Sequence, residues 1–413
     1  MKNLIFIIAS LFCLTACQWN LDKFDLDGNV YNCEETCVNG LCDELKNECN
    51  CKEGWFNKNC DSKTETFEKY YNPNFKENGN LPIDGNIFIE EIEITNDGGY
   101  LIVGISNINM LTLWKLSSNG KMEWMKKYEN EDNNILFGGA KIFKKDNDFY
   151  VVFVNDFLKI DSNGEIIWIK ENFFDSIHIE KIKEFDNQLI LIGSKLINLR
   201  VDFWLVKINF DGSIIEENSF GGEEHDYLVD IIEIDEGYLI LGSSESADYK
   251  FNEVQKYTNI VLFRTDINLN ILSYYVYGDQ NHNFGMYLAL TPDNNYLIGK
   301  RDIIFRSVYS FMKVDTQGNI IWNKNLNNSF EIVTTLNDGC SVLFDEIKSN
   351  NNLNFKLTKI DYNGILLWEK SYGSIEDEFL SDMKPTRDGG YIIVGSKGHN
   401  EIYLIKTDAN GNV

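Results

Sequence analysis

Proline is scarce in this chain, with four in 413 residues, and histidine is no commoner. So little proline beside so much asparagine and glycine suits a chain of tight hairpins rather than long helices. So little histidine leaves few means of building histidine-based metal centres or triads. After the N-terminus no apolar run is long enough to cross a bilayer as a helix. Positive charge is in deficit as well: 38 Lys and Arg against 64 Asp and Glu give −26, and loss of the segment carrying Lys2 takes this to −27. So acidic a surface repels phosphate backbones and anionic headgroups, so no nucleic-acid partner is expected. Nucleophile elbows of the form G-x-S-x-G, H-E-x-x-H helices and phosphate loops are missing too. What is present is 43% hydrophobic residues and 30 glycines, many in Asn-Gly and Asp-Gly pairs, which reads as an all-β chain of tight hairpins around an ample core.

The first residues are organised differently. Met1-Lys2-Asn3 gives a short positive start, Leu4 to Leu14 an apolar stretch too short to span a membrane, and Leu14-Thr15-Ala16-Cys17 its end. These four residues resemble the lipobox of bacterial lipoproteins. The resemblance implies a signal peptide over 1–16, acylation of Cys17 by a diacylglyceryl group and an N-acyl chain, and a membrane partner reached through that anchor. An ordinary signal peptide is the competing reading, but Leu14 at −3 suits the general signal peptidase poorly. Gln18 after the cysteine fits, by the sorting pattern of some Gram-negative bacteria, the outer membrane. Residues 17–32 read as a tether.

Six of the nine cysteines crowd into residues 33–60, namely Cys33, Cys37, Cys42, Cys49, Cys51 and Cys60. An even, dense set in an exported chain reads as a disulfide framework, with fifteen pairings open in principle. Zinc knuckles would need paired C-x-x-C and a reducing compartment. The intervals x3, x4, x6, x1, x8 and the ending Cys49-Asn50-Cys51-Lys52-Glu53-Gly54-Trp55-Phe56-Asn57-Lys58-Asn59-Cys60 resemble an EGF-like module, with Asn57 in place of its second Gly. The resemblance implies the pairs Cys33 to Cys42, Cys37 to Cys49 and Cys51 to Cys60. The calcium-binding variety is not indicated: Val30-Tyr31-Asn32 precedes Cys33, no aromatic lies between Asp43 and Glu48, and Asp25-Leu26-Asp27-Gly28 is too far upstream.

From residue 81 the chain repeats. Asn96-Asp97-Gly98-Gly99-Tyr100-Leu101-Ile102-Val103-Gly104 returns as Arg387-Asp388-Gly389-Gly390-Tyr391-Ile392-Ile393-Val394-Gly395. A cation marks each unit's third strand at Lys115, Lys159, Lys207, Arg264, Lys313, Lys359 and Lys406, at intervals of 44, 48, 57, 49, 46 and 47 residues. Seven units of about this length, each with four short strands, mean a seven-bladed β-propeller. Nine residues after the cation comes Trp124, Trp168, Trp322 or Trp368, with Glu216 and Ser273 in the third and fourth units. That tryptophan is expected between neighbouring blades. The cations are expected in structural ion pairs, helped by the Asp two residues on in Lys159, Lys313, Lys359 and Lys406.

The seventh unit reaches Val413 without its fourth strand, and Phe67-Glu68-Lys69-Tyr70-Tyr71 reads like Trp368-Glu369-Lys370-Ser371-Tyr372. Residues 64–75 are therefore expected to complete the last blade of a propeller covering 64–413. The repeat resembles secreted bacterial propellers with D-G-G-Y-I-x-x-G and K-x-D-x-N-G-x-x-x-W-x-K-x-Y-G, and more distantly the quinoprotein dehydrogenase-like superfamily. Members of the latter use eight blades and often an adjacent Cys pair, and this chain has neither, so no cofactor is expected.

Candidate ligand contacts are Tyr249, Phe251 and Tyr257, in the longest second-to-third-strand loop, with His225 and His282 in connections between blades on the same face. The two histidines read either as an acid/base or metal pair or as solvated loop residues. No catalytic residue and no metal set is assigned, and Cys340 reads as a buried thiol. The expected function is a membrane-tethered platform for an extracellular protein or glycan. The alternative is a hydrolase or lyase acting on extracellular polysaccharide, with carboxylates converging at the channel mouth.

Overall fold

The computed structural model describes residues 40–43, 48–51, 55–56, 62–71, 87–106, 110–129, 139–174, 176–246, 257–279, 281–303, 307–326, 332–335, 340–349, 352–374, 376–398 and 401–413. Two compact units divide the chain, Met1–Glu65 and Thr66–Val413. In the first, Gly40–Asp43 pairs antiparallel with Glu48–Cys51, placing Cys42 opposite Cys49, and Trp55–Phe56 pairs with Ser62–Lys63. Cys17, Cys33, Cys37 and Cys60 lie outside the described residues, as do the side chains of Cys42, Cys49 and Cys51, and with them the acylation and the disulfide pairing.

In the second unit seven four-stranded antiparallel sheets follow one another. Blades one to six run in chain order, from Ile87–Ile94 through Met122–Glu129 in blade one to Ile332–Thr335 through Leu366–Tyr372 in blade six. Blade seven holds Glu378–Pro385, Tyr391–Lys397 and Glu401–Thr407, and beside the last of these lies Phe67–Tyr71, with Ile402 opposite Tyr71 and Lys406 opposite Phe67. Tyr70 stacks on Tyr403 with ring centres 4.8 Å apart, and both hydroxyls donate to Glu68 Oε1 at 2.6 and 2.7 Å.

Strand interiors are continuous apolar runs because both faces of each blade are covered by neighbours. Leu101, Val103, Leu111 and Leu113 of blade one share a core with Ile142, Val151 and Phe153 of blade two. On its other face Ile92, Ile102 and Trp114 pack against Ile392, Val394, Ile402 and Leu404 of blade seven. The ring of seven blades is thus continuous from the last blade to the first.

The outer seams are built by the recurring tryptophan. Trp124 lies so close to the third turn of blade two that a methyl group on Gly164 would sit 2.7 Å from its ring; Trp168 meets Gly212, Trp322 meets Gly364 and Trp368 meets Gly411, each at 3.1 Å by the same measure. These glycines also hold φ between 70° and 76°, so the Asn-Gly and Asp-Gly turns need glycine twice, for conformation and for space. A tyrosine four residues beyond the tryptophan position completes the joint, also where that position holds Ser273 or Phe67: Tyr277 donates to the carbonyl of Gly318 at 2.9 Å, and Tyr128, Tyr372 and Tyr71 do the same for Gly164, Gly411 and Gly120.

Four of the third-strand lysines are paired with a carboxylate, but not with an Asp two residues on. Lys115 meets Asp97 at 2.9 Å, Lys313 meets Asp293 at 2.8 Å, Lys406 meets Asp388 at 2.8 Å and Lys159 meets Asp148 at 2.9 Å, all acids of the first hairpin turn in the same blade. Asp161, Asp315 and Asp408 instead close their own turns: Asp161 Oδ1 accepts from the backbone of Asn163 and Glu165, both at 2.8 Å. Once the strand ends, an i+2 residue lies in the turn and finds backbone N–H groups before it finds the lysine.

Candidate functional site

First strands of consecutive blades touch one another, so they line the central channel. Because the strands alternate in direction, each first strand begins on the face that also carries the blade connections and the second-to-third-strand loops. A bulge interrupts it near that end, at Glu90, Glu180, Val229, Met286 and Ser381 in blades one, three, four, five and seven. A bulge leaves a residue unpaired and turns the strand, and here it re-aims the side chains along the wall.

In blades one, four and seven the residue after the bulge ties one blade to the next. Glu91 accepts from the backbone N–H of Ile142 at 2.9 Å and meets Lys141 at 3.3 Å. Asp382 accepts from Ile92 N–H at 3.0 Å and has Lys384 at 3.6 Å. Asp230, almost fully buried, accepts from Leu288 N–H at 3.1 Å and from Lys183 at 2.6 Å. Burial raises the cost of its charge, yet Lys183 and Lys181 hold it below the usual carboxylate range. Sequence reasoning missed these carboxylates, although an acid inside an otherwise apolar run, as in Ile87-Phe88-Ile89-Glu90-Glu91-Ile92-Glu93-Ile94, was the available signal.

Above them on the wall of blades one to three stands a smaller group. Glu180 has His178 at 3.5 Å, and despite burial that bond, with Lys141 and Lys181, keeps it below its ordinary pKa. Burial pushes Glu90 up to about 7; Glu91 adds to the rise, while Lys141 and His178 oppose it. The wall changes character in blades four and five, where Val229, Met286 and Tyr287 occupy the bulge positions. Among the described residues no group of three His, Cys, Asp or Glu is gathered closely enough to hold a metal.

His225 and His282 are placed by their blades rather than gathered into one site. His225 Nδ1 accepts from the backbone N–H of Val201 at 3.1 Å, and His282 Nδ1 from that of Thr258 at 3.2 Å, each pinning the start of the preceding blade's third strand. That bond leaves Nε2 as the protonated nitrogen of each neutral ring. Tyr257 meets the His282 ring edge-on at 5.4 Å, and Phe284 lies 6.4 Å beyond with Arg301 5.5 Å from its ring centre. Tyr249 and Phe251 lie outside the described residues. Cys340 is buried at the start of the second strand of blade six.

Comparison with known proteins bears on the fold. No protein-family model matches the chain, and no curated protein matches it. A puromycin hydrolase structure matches with a TM-score of 0.53 at 9% identity, over 79% of this chain and 52% of that one, so the chain spans about half of the hydrolase. The WD40 domain of Neurospora crassa Pan2 matches at 0.49 and 9% identity over 79% and 91%, and a protein of unknown function from Bacteroides caccae at 0.43 and 12% over 63% and 88%. At such identities the hydrolase likeness speaks for the propeller fold alone.

Proposed function

We propose that this protein is an exported binding platform, anchored to a membrane through acylated Cys17, that presents the channel mouth and loop face of its propeller to an extracellular protein or glycan. On this reading the EGF-like module of residues 33–60 is a disulfide-stapled spacer, the anchor lies in the outer membrane of a Gram-negative bacterium, and residues 64–75 clasp the ring. One observation carries the platform reading: Glu91, Asp230 and Asp382 are each committed to a backbone N–H of the next blade, so the deeper wall spends its carboxylates on holding the ring together. Committed carboxylates make a poor acid/base pair, whereas a rigid ring makes a good scaffold for a binding face.

A second reading, hydrolysis or elimination on extracellular polysaccharide, has its own support in Glu90, pushed up to about 7 by burial in the vicinity of His178. A carboxyl titrating near neutrality is what a general acid needs. The discriminating experiment takes residues 18–413 across an array of glycans and secreted proteins, with a depletion assay for every glycan bound. Binding without turnover supports the platform. Turnover that disappears in Glu90→Gln sinks it in favour of the enzyme.

A further inference from the structure

We propose that the channel mouth takes the uncharged sugar rings of an oligosaccharide, stacked on aromatic side chains that successive blades present from one position of their first strands. This rests on the platform reading and names its ligand. The position is two residues before the bulge, and it holds Phe88, His178, Tyr227, Phe284 and Phe379 in blades one, three, four, five and seven. In blades two and six it lies outside the described residues.

Seam packing does not call for the Phe88 ring. The neighbours on either side point into the seams and are buried, as with Ile87 and Ile89 or Ile177 and Ile179. Phe88 itself is 61% exposed and the His178 side chain 45%. In a repeat fold, buried positions recur because each seam must be filled, while solvent-facing ones are free to drift. An aromatic at all five described copies of a position that stays open to water, largely at Phe88 and partly at His178, Tyr227, Phe284 and Phe379, therefore needs a reason outside the fold.

The chemistry around the rings selects the occupant. Aromatic faces pack against the C–H faces of sugars, and the hydroxyl edges then need donors and acceptors together. Both are at hand: Arg301 beside Phe284, His282 next to it, and Glu180 3.5 Å from His178. The formal charge of −26 disfavours uronic or sulfated sugars. A protein domain would need a broad contact of roughly 800 Å² per side, whereas these rings sit on the innermost strands around one axis, which suits a chain threaded or laid across the mouth.

The test is titration calorimetry on the mature full-length protein in a sugar-free detergent, against neutral gluco-, manno-, xylo- and N-acetylated oligosaccharides beside uronate and sulfated ones. A neutral saccharide should bind, and Phe88→Ala and Phe379→Ala should each weaken it about tenfold, with the unfolding midpoint of Phe88→Ala unchanged because that ring is exposed. Binding of acidic sugars alone, no binding of any neutral one, or binding indifferent to both substitutions overturns the assignment. The two readings part cleanly. A secreted protein bound at the mouth with no saccharide bound leaves the platform and sinks the sugar, while turnover of a bound neutral saccharide leaves the sugar and sinks the platform.

Discussion

The seam between blades three and four is built from the opposite side to the seams between blades one and two or six and seven. At those two seams the fourth strand supplies Trp124 or Trp368 and the next blade's turn supplies Gly164 or Gly411 to receive it. In blade three the tryptophan position holds Glu216, and in blade four the glycine position holds Leu269, buried and with φ of 61°. Leu269 belongs to the same buried cluster as Tyr238, against which Phe185 and Phe220 pack, filling from the turn the volume that a tryptophan fills from the strand. Lys207 departs from its fellows at the same place, donating to the carbonyl of Ile267 in that turn at 3.1 Å. The volume of the seam is what the ring requires, and which blade supplies it is free, even at the cost of a leucine in a left-handed conformation, about 1–2 kcal/mol.

The seam between blades seven and one tests that lesson hardest, because its outer strand comes from the other end of the chain. Phe67 takes the tryptophan's place against Gly120, and Tyr71 donates to the Gly120 carbonyl. Deleting residues 64–75 removes this filling, the Tyr70 and Tyr403 stack, and the cover over the edge of Glu401–Thr407. We expect a loss on the order of 5 kcal/mol and a broadened thermal transition by calorimetry; a truncated protein that melts unchanged would show that the strand is no clasp. The next effect is smaller and comes from exchanging the two solutions. Leu269→Gly relieves the backbone but empties the seam, for a net loss of about 2 kcal/mol. Glu216→Trp alone overpacks it by about 1–3 kcal/mol. Combined, the two should recover most of the loss, giving a coupling of at least ~1 kcal/mol in a denaturant double-mutant cycle. Additive effects would mean that the two positions do not share one volume.

The sequence was legible wherever one residue serves one repeated purpose. The spacing of Lys115 through Lys406 gives seven units, the Asn-Gly turns give the third hairpins, and the tryptophans give the seams, because each is fixed by contacts that every blade repeats. The partners of the lysines were misjudged because nearness along the chain is a poor guide once a hairpin folds back: Asp97 is 18 residues from Lys115 yet 2.9 Å away. Glu91, Asp230 and Asp382 were hidden for a related reason, since a carboxylate bonded to the next blade's backbone looks, in sequence, like any acid in a strongly acidic chain. The aromatic position at the mouth is invisible without the bulges, which shift the register by one residue and scramble the alternation from which a facing residue is read.

The smallest predicted effect separates the blades by acid. Burial alone would raise Asp97, but hydrogen bonds from Thr95, Lys115 and Gly99 outweigh it and hold the carboxyl at about 2; Asp293 is held at about 2 in the same way, burial being outweighed by Lys313, Thr291 and Asn295. A carboxylate depressed on folding adds stability that is complete above its unfolded value near 4 and is lost as pH falls towards 2. Glu90 has the opposite sign. Its raised value of about 7 means that the folded protein binds the proton more tightly, so this group lowers stability as pH climbs from about 4.5 to about 7. Urea unfolding followed from about pH 2.5 to about pH 8 should therefore show an acid limb that flattens in Asp97→Asn with Asp293→Asn, and a shallower decline towards neutrality that disappears in Glu90→Gln. Blade three supplies the control, because Lys207 donates to a carbonyl that does not titrate in this range. Leu269→Gly should lower the whole curve without altering either slope, and a change in the acid limb of that variant would show that this seam depends on titrating carboxylates after all.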